Sequence, residues 1–241
     1  MSKEKIILSW SGGKDSAYAL YQLQQSGQYE VAYLLSTFNG PLRRLSMHGV
    51  QETLIEAQAA AIGIPLLKVY VYESSNVAYE QQMAAVLQQA YDENIRAVAF
   101  GDIFLEDLRA YREDKMRQVG MGCIFPLWKM DTRQLVNDFI QQGFVTVTCC
   151  INDGYLDENW LGRVIDEDFL ANLPANVDPC GENGEFHSFC MAGPIFQQPI
   201  PILVGEHTYK ALPPITTPHP TPIPYVGTKG FWYCELTLSA H

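Results

Sequence analysis

Along the first 150 residues of this 241-residue chain the spacing of apolar positions switches repeatedly between two periods. A short continuous run, IILSW (6 to 10), reads as a buried strand. The DSAYALYQLQQSG behind it (15 to 27) returns its apolar residues at helical spacing and ends on a glycine stop. The exchange recurs four times. Strand-like EVAYLLST (30 to 37), LLKVYVY (66 to 72), AVAFGD (97 to 102), CIFPLW (123 to 128) and FVTVTCC (144 to 150) alternate with helical ETLIEAQAAAIG (52 to 63), AYEQQMAAVLQQAYDEN (78 to 94), EDLRAYREDKMRQVG (106 to 120) and TRQLVNDFIQQG (132 to 143). Asp131 is placed to N-cap the last helix, with Gln134 to return the hydrogen bond and Gly143 to close it. Strands separated by helices of this length predict an α/β fold with a doubly wound, mostly parallel, Rossmann-like sheet. In such sheets ligands collect at the carboxyl ends of the strands.

Beyond residue 150 the texture changes to Gly, Asn and Asp with only weak helical periodicity, which predicts a smaller C-terminal α/β lobe and a division into 1–150 and 151–241. LPPITTPHPTPIPYV (212 to 226) holds six prolines and reads as an extended arm, since proline fits neither helix interior nor central strand. GFWYCELTL (230 to 238) reads as a closing strand.

Composition narrows the function classes. No apolar stretch approaches the roughly 18 residues of a membrane span, and MSKEKIILSW lacks a signal peptide's apolar region, so a cytoplasmic protein with no membrane partner is expected. A net charge of −11 repels a polyphosphate backbone, and the 16 Lys and Arg form no long run, which argues against nucleic acid. The six cysteines (123, 149, 150, 180, 190, 234) show no C-x-x-C spacing and are expected reduced and mostly buried.

Two stretches carry chemistry. SGGKDS (11 to 16) lies at the first strand-to-helix corner. There Gly12 and Gly13 let backbone N–H groups approach a phosphate, the helix adds its positive end, Lys14 adds a cation, and Ser11 and Ser16 add hydroxyls. The Walker spacing and G-x-G-x-x-G are both absent. DPCGENGEFHSF (178 to 189) sets Glu182, Glu185 and His187 among glycines. Three readings stay open for it: a structural turn; a mixed metal site from Cys180, Glu185 and His187, whose spacing matches no standard zinc arrangement; or a substrate loop that binds ammonium through its glutamates and relays a proton through His187.

SGGKDS resembles the pyrophosphate loop of the N-type ATP pyrophosphatases, and CGENGEFHS (180 to 188) resembles the G-E-x-G-E-[FY]-H-[TS] signature of the diphthine–ammonia ligase family within them. FGDI (100 to 103), PLW (126 to 128) and LGR (161 to 163) resemble family segments in the same order. The resemblance implies a ligase that adenylates a carboxylate with ATP and Mg2+ and captures it with ammonia, giving an amide, AMP and pyrophosphate. It places the nucleotide on Ser9, Ser11, Gly12, Gly13, Lys14, Asp15 and Ser16, on Ser36, Thr37 and Phe38 at the second strand's end, and on His48 and Gly101. Asp15 is the expected magnesium ligand; Lys14, Asp15, Asp102, Glu182, Glu185 and His187 are the expected catalytic groups. Arg109 and Arg112, with Gly181, Gly184 and Ser188, are the expected substrate contacts. RRLSMHGVQETLIEAQA (43 to 59) and DIFLEDLRAYRED (102 to 114) look more like a bacterial branch than the ligases that act on a modified histidine of elongation factor 2, so the acceptor is a protein or small-molecule carboxylate. A homodimer is compatible with this reading. The alternatives are an ammonia-dependent NAD synthetase, which shares SGGxDS but leaves the glutamate-glycine loop unexplained, and a regulatory protein that binds ATP or AMP without turnover.

Overall fold

The computed structural model of the protein describes residues 3–72, 76–212 and 227–239. Its elements are β1 (Glu4–Ser9), α1 (Lys14–Ser26), β2 (Tyr29–Asn39), β3 (Arg44–Leu45), α2 (Glu52–Ile62), β4 (Leu66–Val71), α3 (Asn76–Asp92), β5 (Ala97–Ala99), α4 (Glu106–Gln118), β6 (Gly122–Ile124), α5 (Thr132–Gln141), β7 (Val145–Asn152), α6 (Glu167–Asn172), β8 (Phe186–Ala192), β9 (Ile202–Ala211) and β10 (Gly230–Leu238).

The first sheet runs β4-β2-β1-β5-β6 with every pair parallel, and the two-residue β3 folds back antiparallel on the end of β2. Ile6, Ile7 and Leu8 are fully buried, as a central parallel strand covered on both faces requires. Because side chains alternate, Ile6 and Leu8 join one core with α1, α2, α5 and the second sheet, while Ile7 joins Leu87 and Met116 of α3 and α4 on the other face. The chain therefore leaves β1 toward β2 on one side and returns to β5 on the other, which makes the carboxyl end of β1 the switch point of the sheet. Helix ends follow the sequence signals: Gly27 and Gly63 take left-handed conformations after α1 and α2. The Asp131 side chain accepts from Gln134 N at 2.8 Å. The expected return bond is not made, because the Gln134 amide donates instead to Asp138 one turn on, at 2.7 Å.

FVTVTCC does not close the parallel sheet. It forms β7, inside an antiparallel sheet of order β8-β7-β10-β9. Residues 146–152 are buried throughout, which mimics a parallel core strand; here β8 lies on one edge, while β10 and residues 162–165 share the other. GFWYCELTL is β10, paired with both β7 and β9. β3, β8 and β9 carry no strand signal in the expectations above. Residues 213–226 of the proline stretch lie outside the described residues. No helix among the described residues is long and apolar enough to cross a membrane. Five of the six cysteines are buried, Cys123 is half-buried, and all six are free thiols.

Candidate active site at the switch point

Gly12 leaves β1 at φ +70°, and an added Cβ would lie 2.5 Å from the Gln58 Oε1 of α2, so both conformation and space call for glycine. Gly13 N-caps α1 without a side-chain bond. The cap comes from across the molecule: Ser188 Oγ of β8 accepts from Lys14 N at 3.2 Å. Ser11 Oγ sits 3.4 Å from Gly13 N, and Ser16 Oγ donates to Gly13 O at 3.0 Å. The N–H groups of Asp15 and Ser16 have no partner among the described residues, so the positive end of α1 is open to an anion. Lys14 is almost wholly covered, 1 % exposed, with its ammonium against the Asp15 carboxylate. Burial pulls the ammonium pKa down, but Asp15 and the neighbouring acidic groups outweigh it and hold Lys14 charged, above its ordinary value.

Two adjoining cavities open at the strand ends. One, of about 390 Å³, is mainly apolar, with Leu35, Met83, Leu87, Val98, Phe100 and Met116 among its walls. The other, of about 220 Å³, is the more polar of the two and is lined by the phosphate-type loop on one side and by residues 180–188 on the other. Ser9, Ser11, His48, Phe100 and Arg112 line both.

The glutamate-glycine loop is built around Asp178. Its Oδ1 accepts from Cys180 N at 2.9 Å and Glu182 N at 3.3 Å, and its Oδ2 accepts from Thr132 Oγ1 at 2.7 Å. Gly181 turns at φ +69°, where a Cβ would meet Phe186 O at 2.8 Å. Glu185, expected at the substrate, is instead buried and absent from both cavity walls. Its Oε1 accepts from Asp178 N and the Asn183 amide, both at 2.9 Å, and its Oε2 is buried without a partner among the described residues. The carboxylate thus ties the loop to itself. Glu182 lies on the polar cavity, where its Oε1 accepts from Ile103 N at 2.7 Å. Burial and the nearby Asp15 charge push its pKa up to about 7, against the opposing pull of the Ile103 N–H and Lys14. Gly184 and Ser188 also line this cavity.

His187 lies against His48, with ring centroids 4.3 Å apart and the planes tilted by 34°. Burial lowers His48 to about 4 and His187 well below its ordinary value, helped at His187 by its neighbour and at both by Lys14. Both imidazoles are neutral near pH 7. Gly101 passes so close to α1 that a Cβ would lie 3.1 Å from the Asp15 backbone. Asp102, beside it, pairs with Arg112 at 2.7 Å, and Arg112 also covers the Phe100 ring. Thr37 lines the apolar cavity.

Gly12 and Lys14 line neither cavity, and three further expected contacts fall elsewhere. Ser36 is buried, donating to Trp10 O at 2.6 Å, and Phe38 packs in the core against Tyr70, because side chains alternate along β2 and both face away from the cavity that Thr37 between them lines. Arg109 lines neither cavity; it sits over Phe125 and Trp128 and pairs with Glu113 at 2.8 Å, one turn on along α4. The Cys180, Glu185 and His187 metal reading is not supported: no group of three metal-ligating side chains occurs among the described residues, and Cys180 Sγ is turned toward Thr132 O at 3.3 Å. Residues with no sequence signal also shape the site. Gln58 is fully buried against the phosphate-type loop, Asp178 organises the second loop, and Tyr79 and Met83 wall the apolar cavity from α3.

The comparisons with known proteins agree with this architecture. Residues 4–123 match the diphthamide synthase N-terminal domain, and residues 131–215 match the diphthamide synthase C-terminal domain. A diphthine–ammonia ligase of Danio rerio is 24 % identical over 236 residues, which cover 88 % of this chain and 92 % of that protein. The Bos taurus diphthine–ammonia ligase is 23 % identical over 230 residues, with 85 % and 86 % covered. The Schizosaccharomyces pombe enzyme of the same name is 24 % identical over 226 residues, with 85 % of this chain covered, and there the chain spans 37 % of the relative's length. With both domain models matched in order, on a fold whose two parts face each other across the polar cavity, this chain belongs to the diphthamide synthase family.

Proposed function

We propose that the protein is an ATP-dependent carboxylate–ammonia ligase that releases AMP and pyrophosphate. The observation that carries this reading is that the phosphate-type loop and the glutamate-glycine loop form opposite walls of one cavity, which adjoins an apolar cavity large enough for a nucleoside. Adenosine occupies the apolar cavity. The phosphates lie at the α1 N-terminus, where the unpartnered N–H groups of Asp15 and Ser16 and the Lys14 charge behind them fit an anion. The parallel sheet thus serves the nucleotide and residues 180–188 of the antiparallel part serve the carboxylate.

A carboxylate oxygen attacks the α-phosphorus, the bond to the bridging oxygen breaks, and pyrophosphate leaves as its new charge meets those N–H groups. Ammonia then adds to the acyl carbon, and AMP departs with the electron pair of the acyl–oxygen bond. Glu182, poised near neutrality, takes the proton that the attacking nitrogen must lose. The neutral His48–His187 pair separates the nucleoside from the acyl position and adds no charge there. The donor set fits magnesium only as a partner of the phosphates: Asp15, 31 % exposed, is the near carboxylate, and bound metal would neutralise charge on the departing pyrophosphate.

Incubation with ATP, Mg2+, 15N-ammonium and a diphthine-bearing protein or peptide tests the reading. AMP, pyrophosphate and a 15N-labelled amide are expected in equal amounts. ADP with orthophosphate, or binding of ATP with the α–β bond left intact, would overturn it.

A further inference from the structure

Gln58 is the one fully buried polar side chain of α2 that no step above uses. Every polar group on its amide is engaged. Nε2 donates to Gly12 O at 2.8 Å and to Cys190 O at 2.7 Å, and Oε1 accepts from Trp10 Nε1 at 2.9 Å. The orientation is fixed, since exchanging N and O would set the amide oxygen against two carbonyls and the amide NH2 against the indole N–H. Gly12 O also accepts from Cys190 N at 2.8 Å, so α2 and β8 grip one carbonyl of the loop together.

A planar trans peptide points its C=O and N–H in opposite directions. With the Gly12 carbonyl drawn inward, the N–H of the same peptide, that of Gly13, is turned toward the polar cavity that Gly13 lines, where its nearest acceptor is Ser11 Oγ at a long 3.4 Å. Gly12 stands at φ +70° with no side chain on either flank of this peptide, so its own residues do not resist a flip and the restraint falls to the Gln58 amide and the Cys190 N–H on its carbonyl. A flip would present a carbonyl oxygen to the leaving group where a donor now faces it. We propose that Gln58 is a positioning residue for pyrophosphate departure, holding the Gly12–Gly13 peptide so that the Gly13 N–H faces the leaving group. The inference rests on the ligase reading and adds to it a residue that lines neither cavity.

The test uses the full chain with Gln58→Met, which keeps shape and loses both donors, and Gln58→Glu, which keeps an acceptor for Trp10. Calorimetry reads binding of pyrophosphate and, separately, of AMP. The expected result is a loss of pyrophosphate affinity of about 10-fold or more with AMP affinity within about twofold, and a larger fall in kcat than rise in KM for ATP. A purely structural role would weaken both ligands together. Equal weakening, or unchanged pyrophosphate affinity in a folded variant, overturns the proposal. Should neither variant fold, amide NMR of the unaltered protein decides: the Gly13 N–H resonance shifts on adding pyrophosphate and not on adding AMP, and an unmoved resonance overturns it. Wild-type protein that binds neither ligand would sink the ligase reading itself, a distinguishable outcome that removes this inference with it.

Discussion

The two loops that face each other across the polar cavity manage charge in opposite ways. In residues 11–16 the cation is hidden and backbone donors are left free: Lys14 is covered and paired with Asp15, which reaches the cavity wall, while the N–H groups of Asp15 and Ser16 have no partner among the described residues. In residues 178–188 the backbone is consumed internally by Asp178 and Glu185, and one carboxylate, Glu182, is left at the wall. An anion-binding surface needs donors that cost no reorganisation, which a helix terminus supplies. A proton-transfer surface needs a group titrating near the working pH, which burial of a carboxyl beside another acid supplies. The difference teaches that two glycine-rich stretches present different chemical groups to one cavity according to which polar groups their own turns consume.

The comparison breaks most sharply at Lys14. Lys14→Ala removes the buried charge behind the anion site and leaves Asp15 near Glu182 and Asp102, so pyrophosphate release should fall by about 10³-fold. Loss of less than about tenfold, with circular dichroism unchanged, would show that the loop needs no cation. Next comes Glu182→Gln, for which a drop of about 10² in kcat/KM is expected. The sign of its pH dependence follows from the raised pKa: the carboxyl is protonated below about 7, and the base form appears only above it, so wild-type kcat/KM should climb through that pH. The Glu182→Gln variant should lack this limb while melting at the wild-type temperature; persistence of the limb would assign it to another group.

Glu185→Ala should instead appear in stability, because it strips two acceptor contacts from a buried loop. A cost of about 2 kcal/mol, or a Tm lower by roughly 4–8 °C, is expected, with residual activity lost in proportion to unfolding. A variant with unchanged Tm and no amide product would return Glu185 to the chemistry and blur the contrast between the loops.

The helices and the parallel strands are readable because their signals are local. Gly27 and Gly63 stop helices where left-handed conformation is needed, and Ile6–Leu8 advertises burial on both faces. Residues 145–152 show the limit of such reading. Their apolar run announces a buried strand, but burial does not say which sheet does the burying, and here that sheet is the antiparallel one. β8 is hard to read because its His187 and Ser188 serve the site, which obscures the alternation of a strand.

The sequence by itself determined the strand-to-helix corner at Gly12–Gly13, the proximity of Lys14 and Asp15, and the turn at Gly181–Gly184, since each depends on residues a few positions apart. Only the tertiary structure decided that Ser188 caps α1 from 174 positions away, that Gln58 orients the loop, that Arg109 is spent on aromatic rings, and that Glu182 rather than Glu185 meets the cavity. The physical reason is that a hydrogen bond or a raised pKa belongs to a neighbourhood in space. The neighbours that settle it come from different sheets, and no local pattern records which of them will meet.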